Sequence, residues 1–190
     1  MSSRNDSRPF ADSCVVLGVT SSIAAYKAAE LCSRLKAWGT EVRPVLTPDA
    51  LEFIAPLTFE TLAGAPAVVD LFDEPACPLP VHIELGTRAD LIVVVPASAD
   101  FIGRTAAGLA DTALGAVIMA ADCPVLFAPA MNARMFAAPA VQANLRCLEE
   151  YGYHLVGPGK GRLACGEAGS GRLAPLDDIV ERMAGLLGAR

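Results

Sequence analysis

Short apolar runs alternate along the chain with stretches in which apolar residues recur at helical spacing. The runs are of strand length and almost uninterrupted, which is typical of parallel strands buried on both faces. The predicted strands are residues 14–20, 42–47, 90–95, 123–128 and 153–156, with a short edge strand at 67–72. The run at 90–95 is the most strongly apolar and β-branched, so it is expected to be central in the sheet.

The intervening stretches predict helices with one buried face. In the first, Ala24, Ala28, Leu31 and Leu35 share a face, and Gly39 ends the helix. Further helices are expected at 53–62, from His82, after Asp100, and through Val141, Leu145 and Leu148. A final helix capped by Asp177 follows, with its apolar residues directed inward: Ile179, Met183, Leu186 and Leu187. This strand–helix alternation predicts an α/β fold with a parallel sheet.

Composition agrees with one compact domain. The chain has 190 residues, of which 53% are hydrophobic and 6% aromatic, as suits helices packed on a buried sheet. Residues 1–12 are polar and read as a disordered leader, so the domain is expected to span residues 13–190. No internal repeat or linker divides it.

Charge and cysteine usage exclude several functions. A net charge of −6 argues against a nucleic-acid or anionic-membrane partner, and no apolar run approaches the ~18 residues of a membrane span. The six cysteines form no CxxC pair, so neither a metal site nor a disulfide framework is expected. A reducing cytoplasm is the predicted location.

The loop after the first strand is the first candidate for ligand binding. It lacks the GxGxxG fingerprint of dinucleotide sites, but Thr20, Ser21 and Ser22 precede a helix N-terminus, which favours an anion. Three hydroxyls together predict a cradle for a single phosphate, as in FMN, whereas a simple helix cap would explain one of them. Thr47, at the end of the second strand, is a further hydroxyl residue at a strand end.

Two further strand ends carry polar residues. Residues 96–100, with the sequence Pro-Ala-Ser-Ala-Asp, open a helix whose small residues admit either a flat ligand, a neighbouring subunit or a tight helix crossing. Asn132 follows the strand at 123–128, at the sheet edge where α/β proteins bind ligands. The alternative is a structural asparagine that braces the turn.

A histidine and a cysteine complete the candidate set. His82 opens a helix after a proline-rich loop, which is a plausible place for a base, although a lone histidine is usually structural. Six glycines fall between residues 157 and 171, a density that favours a flexible flap. Cys165 lies within this flap, either as an incidental residue or as a thiol delivered to a ligand.

In this order, the motifs resemble the flavin-containing cysteine decarboxylases, which include phosphopantothenoylcysteine decarboxylase and the peptidyl-cysteine decarboxylases of lantibiotic-type pathways. The resemblance covers residues 15–175 and rests on 18–27, His82, 96–100 and 129–136, with 163–173 similar to the substrate-clamping flap. Asp100 stands where many members have Asn, and Phe136 where many have Trp or Tyr.

The resemblance implies a Rossmann-like, flavodoxin-type three-layer sandwich that assembles as trimers or dodecamers with FMN between subunits. The implied cofactor-binding residues are Gly18, Thr20, Ser21, Ser22, Thr47, Pro96, Ala97, Ser98, Ala99 and Asp100. The implied substrate-binding residues are Ala130, Met131, Asn132, Met135, Ala164, Cys165 and Gly166.

The implied reaction is decarboxylation of a cysteinyl carboxylate. Hydride transfer to flavin gives a thioaldehyde, which accepts the electrons left by carbon dioxide and becomes an enethiol. His82 would act as the base at the thiol, Asn132 would hold the carboxylate, and Cys165 would protonate the enethiol as hydride returns.

The flap cysteine favours 4′-phosphopantothenoylcysteine, converted to 4′-phosphopantetheine in coenzyme A biosynthesis, as the substrate. The main alternative is a C-terminal peptidyl cysteine that is left as an aminoenethiol, and an end at Arg190 without the synthetase domain fused in many bacteria would suit it. A flavin prenyltransferase and a non-catalytic flavin-binding regulator are weaker alternatives.

Overall fold

A five-stranded parallel sheet in the order β2-β1-β3-β4-β5 forms the centre of the protein. The structure is a computed structural model and describes residues 10–72, 79–162 and 168–188. The strands of the sheet are β1 Cys14–Val19, β2 Glu41–Leu46, β3 Leu91–Ala97, β4 Val125–Pro129 and β5 His154–Leu155. A separate antiparallel hairpin pairs β6 Gly159–Arg162 with β7 Ala168–Arg172.

Eight helices in the described ranges cover the sheet. They are α1 Ala25–Ala37, α2 Pro56–Ala63, α3 Val81–Arg88, α4 Ala99–Ala106, α5 Ala113–Met119, α6 Ala133–Ala137, α7 Pro139–Glu150 and α8 Leu176–Leu187. None of these helices combines the length and the apolar character that a membrane span requires.

The two faces of the sheet are buried under different helices. Side chains alternate across a strand, so Val93 lies in the cluster formed with α1, α2 and α8, whereas Ile92 and Val94 lie in the cluster formed with α3, α4, α5 and α7. Every residue of β1 and β3 is buried. The predicted α/β fold is therefore confirmed as a flavodoxin-type three-layer sandwich.

Several element boundaries differ from those predicted. The edge strand predicted at 67–72 is a single bridge between Val45 and Val68, because the Asp70 carboxylate accepts a hydrogen bond from the Phe72 amide and turns the chain. The helix predicted at 53–62 begins at Pro56, a residue favoured in a first helical turn, after a short 3-10 helix at Pro48–Glu52.

The C-terminal part of the chain differs as well. The strand predicted at 153–156 has two residues, His154 and Leu155, and the β6–β7 hairpin follows it. Pro175, not Asp177, precedes α8. Asp177 lies in the first turn, where its negative charge still interacts favourably with the helix dipole.

The packed domain begins before the predicted boundary at residue 13. Phe10 is fully buried and stacks on Trp38, with ring centroids 5.5 Å apart. Its carbonyl oxygen accepts hydrogen bonds from the hydroxyls of Ser13 at 2.6 Å and Thr40 at 3.1 Å. Residue 10, assigned to a leader from its polar surroundings, is thus part of the core.

Phe10→Ala is expected to lower the free energy of unfolding by about 3–5 kcal/mol, since it empties a buried aromatic site. Urea denaturation measures the loss. Phe72→Ala is the control, because the Phe72 side chain is 91% exposed and its removal should change stability by less than about 0.5 kcal/mol. Equal stability of both variants would show that Phe10 contributes nothing to the core.

Candidate active site

A cleft of about 240 Å³ opens at the carboxyl ends of β1, β2 and β3. The chain runs from β1 to β2 on one side and later to β3 on the other, so the loops after these strands diverge and leave a crevice. The cleft is lined by polar and charged side chains, among them Ser21, Thr47, Ser98, Asp100, Arg104 and Asp111.

A buried hydroxyl joins the two central strands at the base of this cleft. The Thr20 hydroxyl donates to the Pro96 carbonyl oxygen and accepts from the Ser98 amide, both at 2.8 Å. The Ser98 hydroxyl in turn caps α4 by accepting from the Phe101 amide at 3.2 Å. These bonds fix the ends of β1 and β3 relative to each other. They give the Thr20 hydroxyl a structural role that requires no ligand.

Of the three hydroxyls predicted to form a phosphate cradle, two have hydrogen-bond partners within the chain. The Ser22 hydroxyl accepts from the Ala24 amide at 3.3 Å and lies 3.5 Å from the Ala130 carbonyl oxygen, so, like Thr20, it has partners within the chain. Ser21 lines the cleft, and its hydroxyl has no hydrogen-bond partner among the described residues. The hydroxyl residues that line the cleft together with Ser21 are therefore Thr47 and Ser98, at neighbouring strand ends, and not its sequence neighbours.

The remaining predicted cofactor residues have backbone or packing roles in this structure. Gly18 lies inside β1, where an added Cβ would fall 2.7 Å from a Leu114 methyl group of α5. Pro96 and Ala97 belong to β3, and the Ala97 carbonyl oxygen accepts from the Ala130 amide at 3.0 Å. Ala99 begins α4. None of these four residues lines the cleft or offers a side-chain hydrogen-bond donor.

Arg104 is a cleft residue that the sequence motifs did not identify. Its Nε donates to Asp100 at 2.7 Å and its NH1 donates to Asp111 at 2.6 Å. The hydrogen bond to Asp100 is the main reason that the pKa of Arg104 is raised. Asp100 and Arg104 are four residues apart on α4, a spacing from which the pair could have been predicted.

Asn132 combines a local structural role with a position near the cleft. Its Oδ1 accepts a hydrogen bond from the Arg134 amide at 2.8 Å and caps α6, as the turn interpretation predicts. Because Oδ1 is the acceptor in the cap, Nδ2 is the donor end of the amide. The Ala97–Ala130 bond connects the loop that contains Asn132 to the end of β3.

The β6–β7 hairpin is docked on this same loop. The Met131 amide donates to the Gly171 carbonyl oxygen at 2.8 Å. Gly171 has a φ of +135°, and an added Cβ would lie 2.5 Å from the Met131 carbonyl oxygen. The described parts of the glycine run predicted as a flap therefore pair as β6 and β7, and Gly171 in β7 lies against Met131 and Asn132. Ala164, Cys165 and Gly166 lie outside the described residues.

His82 is the second residue of α3. Since α3 leads directly into β3 and runs antiparallel to it, its N-terminus lies toward the carboxyl edge of the sheet. The Nδ1 atom is buried and has no hydrogen-bond partner among the described residues. His82 does not line the cleft, so the described chain does not by itself bring His82 together with Ser21 or Asp100.

The described cysteines offer no reactive centre. Burial raises the pKa of the Cys14 and Cys32 thiols to about 11, so both stay protonated near neutral pH. The Cys147 Sγ lies 3.6 Å from the Ala106 carbonyl oxygen. Within the described ranges, no three His, Cys, Asp or Glu side chains are grouped to hold a metal ion.

Comparison with known sequences adds a family and characterised relatives. A family model described as Flavoprotein matches residues 3–188. The coenzyme A biosynthesis bifunctional protein CoaBC of Haemophilus influenzae is 42% identical over 165 residues, which cover 87% of this chain and 41% of the relative. CoaBC of Mycobacterium tuberculosis is 44% identical over 167 residues, covering 87% and 39%. The chain thus spans about two fifths of the length of these relatives.

Solved structures that superpose on this chain include cysteine decarboxylases and an FMN-binding protein. The FMN-dependent cysteine decarboxylase SpaF superposes with a TM-score of 0.82 at 32% identity, covering 94% of this chain and 97% of SpaF. A Cys-to-Ser variant of PPC decarboxylase, in complex with pantothenoylaminoethenethiol, superposes with a TM-score of 0.78 at 34% identity, covering 90% and 97%. The FMN-binding protein AtHal3 gives 0.80 at 32% identity, covering 94% and 98%.

Proposed function

Because the chain belongs to the Flavoprotein family, and within it to the flavin-containing cysteine decarboxylases, we propose that it decarboxylates a cysteinyl substrate with FMN as cofactor. The proposed substrate is 4′-phosphopantothenoylcysteine, which would make this the decarboxylation step of coenzyme A biosynthesis. The observation that supports this most directly is the docking of the hairpin and the Asn132 loop beside a hydroxyl-lined cleft.

The cleft residues fit a mononucleotide. Ser21, Thr47 and Ser98 present hydroxyls from three neighbouring strand ends at the β1/β3 switch point, where proteins with this strand order bind FMN. Helix α1 begins shortly after Ser21, and its dipole favours a phosphate nearby, although the Ala25 and Lys27 amides already donate to the Ser22 and Ala24 carbonyl oxygens. We propose that these three hydroxyls and the start of α1 hold FMN.

We propose that three side chains, those of Asn132, Cys165 and His82, act on the substrate. Bound flavin supplies the acceptor for hydride from the carbon that bears sulfur. Asn132 would donate from Nδ2 to the substrate carboxylate while Oδ1 stays in the α6 cap, so the amide is held rigidly for this task. Cys165, which lies between β6 and β7 in the sequence, would supply the proton that, together with the hydride taken up earlier, converts the enethiol to a saturated thiol.

We propose that His82 takes the proton of the substrate thiol at a site completed by another subunit. A buried nitrogen without a partner costs free energy, so the bare Nδ1 of His82 is best explained by a partner outside the described residues. Ile23 and Tyr26, next to the first cleft loop, are 65% and 61% exposed, as suits a subunit contact. A trimer, alone or within a dodecamer, would place His82 of one subunit at the cleft of its neighbour.

A second candidate substrate is a peptide that ends in cysteine. The superposition on SpaF, an FMN-dependent cysteine decarboxylase, is compatible with either substrate, whereas the PPC decarboxylase match favours the small molecule. We retain the small molecule because CoaBC proteins are the curated relatives. The proposed location is the cytoplasm, where cysteine thiols stay reduced.

Two measurements test the proposed function. The purified protein should be yellow, and the mass of the chromophore released by denaturation should be that of FMN. Offered phosphopantothenoylcysteine and cysteine-ending peptides separately, it should convert the small molecule to phosphopantetheine. Turnover of the peptides alone, to enethiols two hydrogens lighter than the saturated thiols, would replace the proposed substrate with the alternative.

Gly171→Ala is expected to lower decarboxylation by at least about tenfold, because a misplacement near 1 Å in an active site has large kinetic effects. The new Cβ cannot fit 2.5 Å from the Met131 carbonyl oxygen, so the hairpin must move away from the Asn132 loop. Steady-state kinetics on the FMN-loaded variant measures the loss.

Gly152→Ala is the matched control for this prediction. Gly152 also has a positive φ, +87°, but an added Cβ meets nothing within 4 Å. It therefore reproduces the backbone strain, worth about 1–3 kcal/mol of stability, without the contact. Equal activity losses in the two variants would show that hairpin docking is irrelevant to catalysis.

A further inference from the structure

The charges that line the cleft are unfavourable for the cofactor proposed above. Asp49, Asp100 and Asp111 contribute three carboxylates, and Arg104 contributes the only positive charge among the described lining residues. A phosphate monoester brings a charge of about −1.5 to −2 at neutral pH. An anionic ligand therefore enters a cleft that is formally negative, and binding requires that some of these carboxylates be neutralised.

Arg104 is positioned to neutralise two of these carboxylates. Its guanidinium bridges Asp100 and Asp111 at 2.7 and 2.6 Å, and its side chain is 39% exposed, less than either carboxylate. Two of its nitrogen atoms are thus engaged with carboxylates. Asp100, on the first turn of α4, lines the cleft together with Ser98.

We propose that Arg104 determines the affinity of the cleft for a phosphorylated flavin by neutralising Asp100 and Asp111, and not by bonding the phosphate itself. Arg104 is therefore a positioning and specificity residue, because it lowers an electrostatic penalty that FMN meets in the cleft and that riboflavin, which lacks the phosphate, does not. The proposal rests on the proposed function, because it takes a flavin as the ligand of this cleft.

The test compares FMN with riboflavin, which lacks the phosphate. The full chain is freed of flavin, and each ligand is titrated by flavin fluorescence at low ionic strength. Arg104→Gln should weaken FMN binding by about tenfold or more but riboflavin binding by less than about threefold, because only FMN brings an added negative charge to the cleft. The FMN deficit should shrink as salt is added.

A double variant distinguishes neutralisation from direct bonding. If Arg104 acts by neutralising Asp100 and Asp111, then combining Asp100→Asn with Arg104→Gln removes one negative charge together with the positive one. The formal charge of the cleft then equals that of wild type, and FMN affinity should return to within about threefold of wild type. If Arg104 bonds the phosphate, the double variant stays as weak as Arg104→Gln, and the proposal is overturned. Arg104→Lys keeps the charge and should retain most of the affinity, which guards against a glutamine variant that folds poorly.

Arg88→Gln is the matched control. Arg88 also bridges two carboxylates, Glu41 at 2.7 Å and Glu84 at 3.5 Å, but it lies on α3 and does not line the cleft. It should leave the binding of both flavins unchanged. Equal losses of FMN and riboflavin in Arg104→Gln, or no loss, would overturn the proposal, whereas a wild-type chain that binds neither flavin would overturn the proposed function.

Discussion

Asn132→Asp is expected to lower the rate of decarboxylation by about 10²–10³-fold, the usual effect of removing one well-placed donor. The substitution replaces the Nδ2 donor with a carboxylate oxygen, which cannot donate and which repels the substrate carboxylate. Single-turnover formation of product on the FMN-loaded variant measures the effect.

The aspartate variant also separates the two roles of Asn132. Aspartate is as good a helix cap as asparagine, so its carboxylate still accepts from the Arg134 amide and α6 stays capped. The melting temperature and flavin content should therefore equal those of wild type. Normal turnover in this variant would refute the proposed role of Asn132 at the carboxylate. Asn132→Ala is less informative, because it removes the cap and the donor together.

His82→Asn should lower decarboxylation by about 10²–10⁴-fold, the contribution typical of a positioned acid or base. Flavin content should not change, since the proposed role of His82 is to take the proton of the substrate thiol and not to hold the flavin. The assay is steady-state turnover of phosphopantothenoylcysteine at saturating substrate. Asparagine keeps a polar side chain at the buried site and so limits the structural effect.

His154→Asn provides the comparison for His82. His154 is the only other histidine of the chain, and it lies on β5 with Nδ1 3.5 Å from Arg182. Its loss should leave turnover within about twofold of wild type, as expected for a position away from the reacting atoms. If the two histidine variants are equally active, His82 is not the base.

The fold could be predicted from the sequence wherever burial alone decides the structure. The apolar run that contains Val93 and Val94 is buried on both faces, and its sequence shows this directly. The prediction of a strand at 67–72 failed, because the turn stabilised by Asp70 outweighs a weak β-strand pattern. Phe10 was assigned to a leader because its partner, Trp38, is 28 residues away in sequence.

The candidate site was predictable only in part, for a related reason. Strand ends can be located from the sequence, and they place Ser21, Thr47 and Ser98 at one edge of the sheet. The partners of a hydroxyl cannot be located in this way. Thr20 bonds to the end of β3, 76 residues away, so a residue that resembles a ligand donor has a structural role. The contact between Gly171 and Met131 is likewise long-range.

The most direct test of the account is release of labelled carbon dioxide from phosphopantothenoylcysteine that carries an isotope in its cysteinyl carboxyl group. The yellow, FMN-loaded protein should release labelled carbon dioxide over many turnovers, in step with the formation of phosphopantetheine. If that protein releases none, either from this substrate or from carboxyl-labelled cysteine-ending peptides, then it is not a cysteine decarboxylase and the account is contradicted.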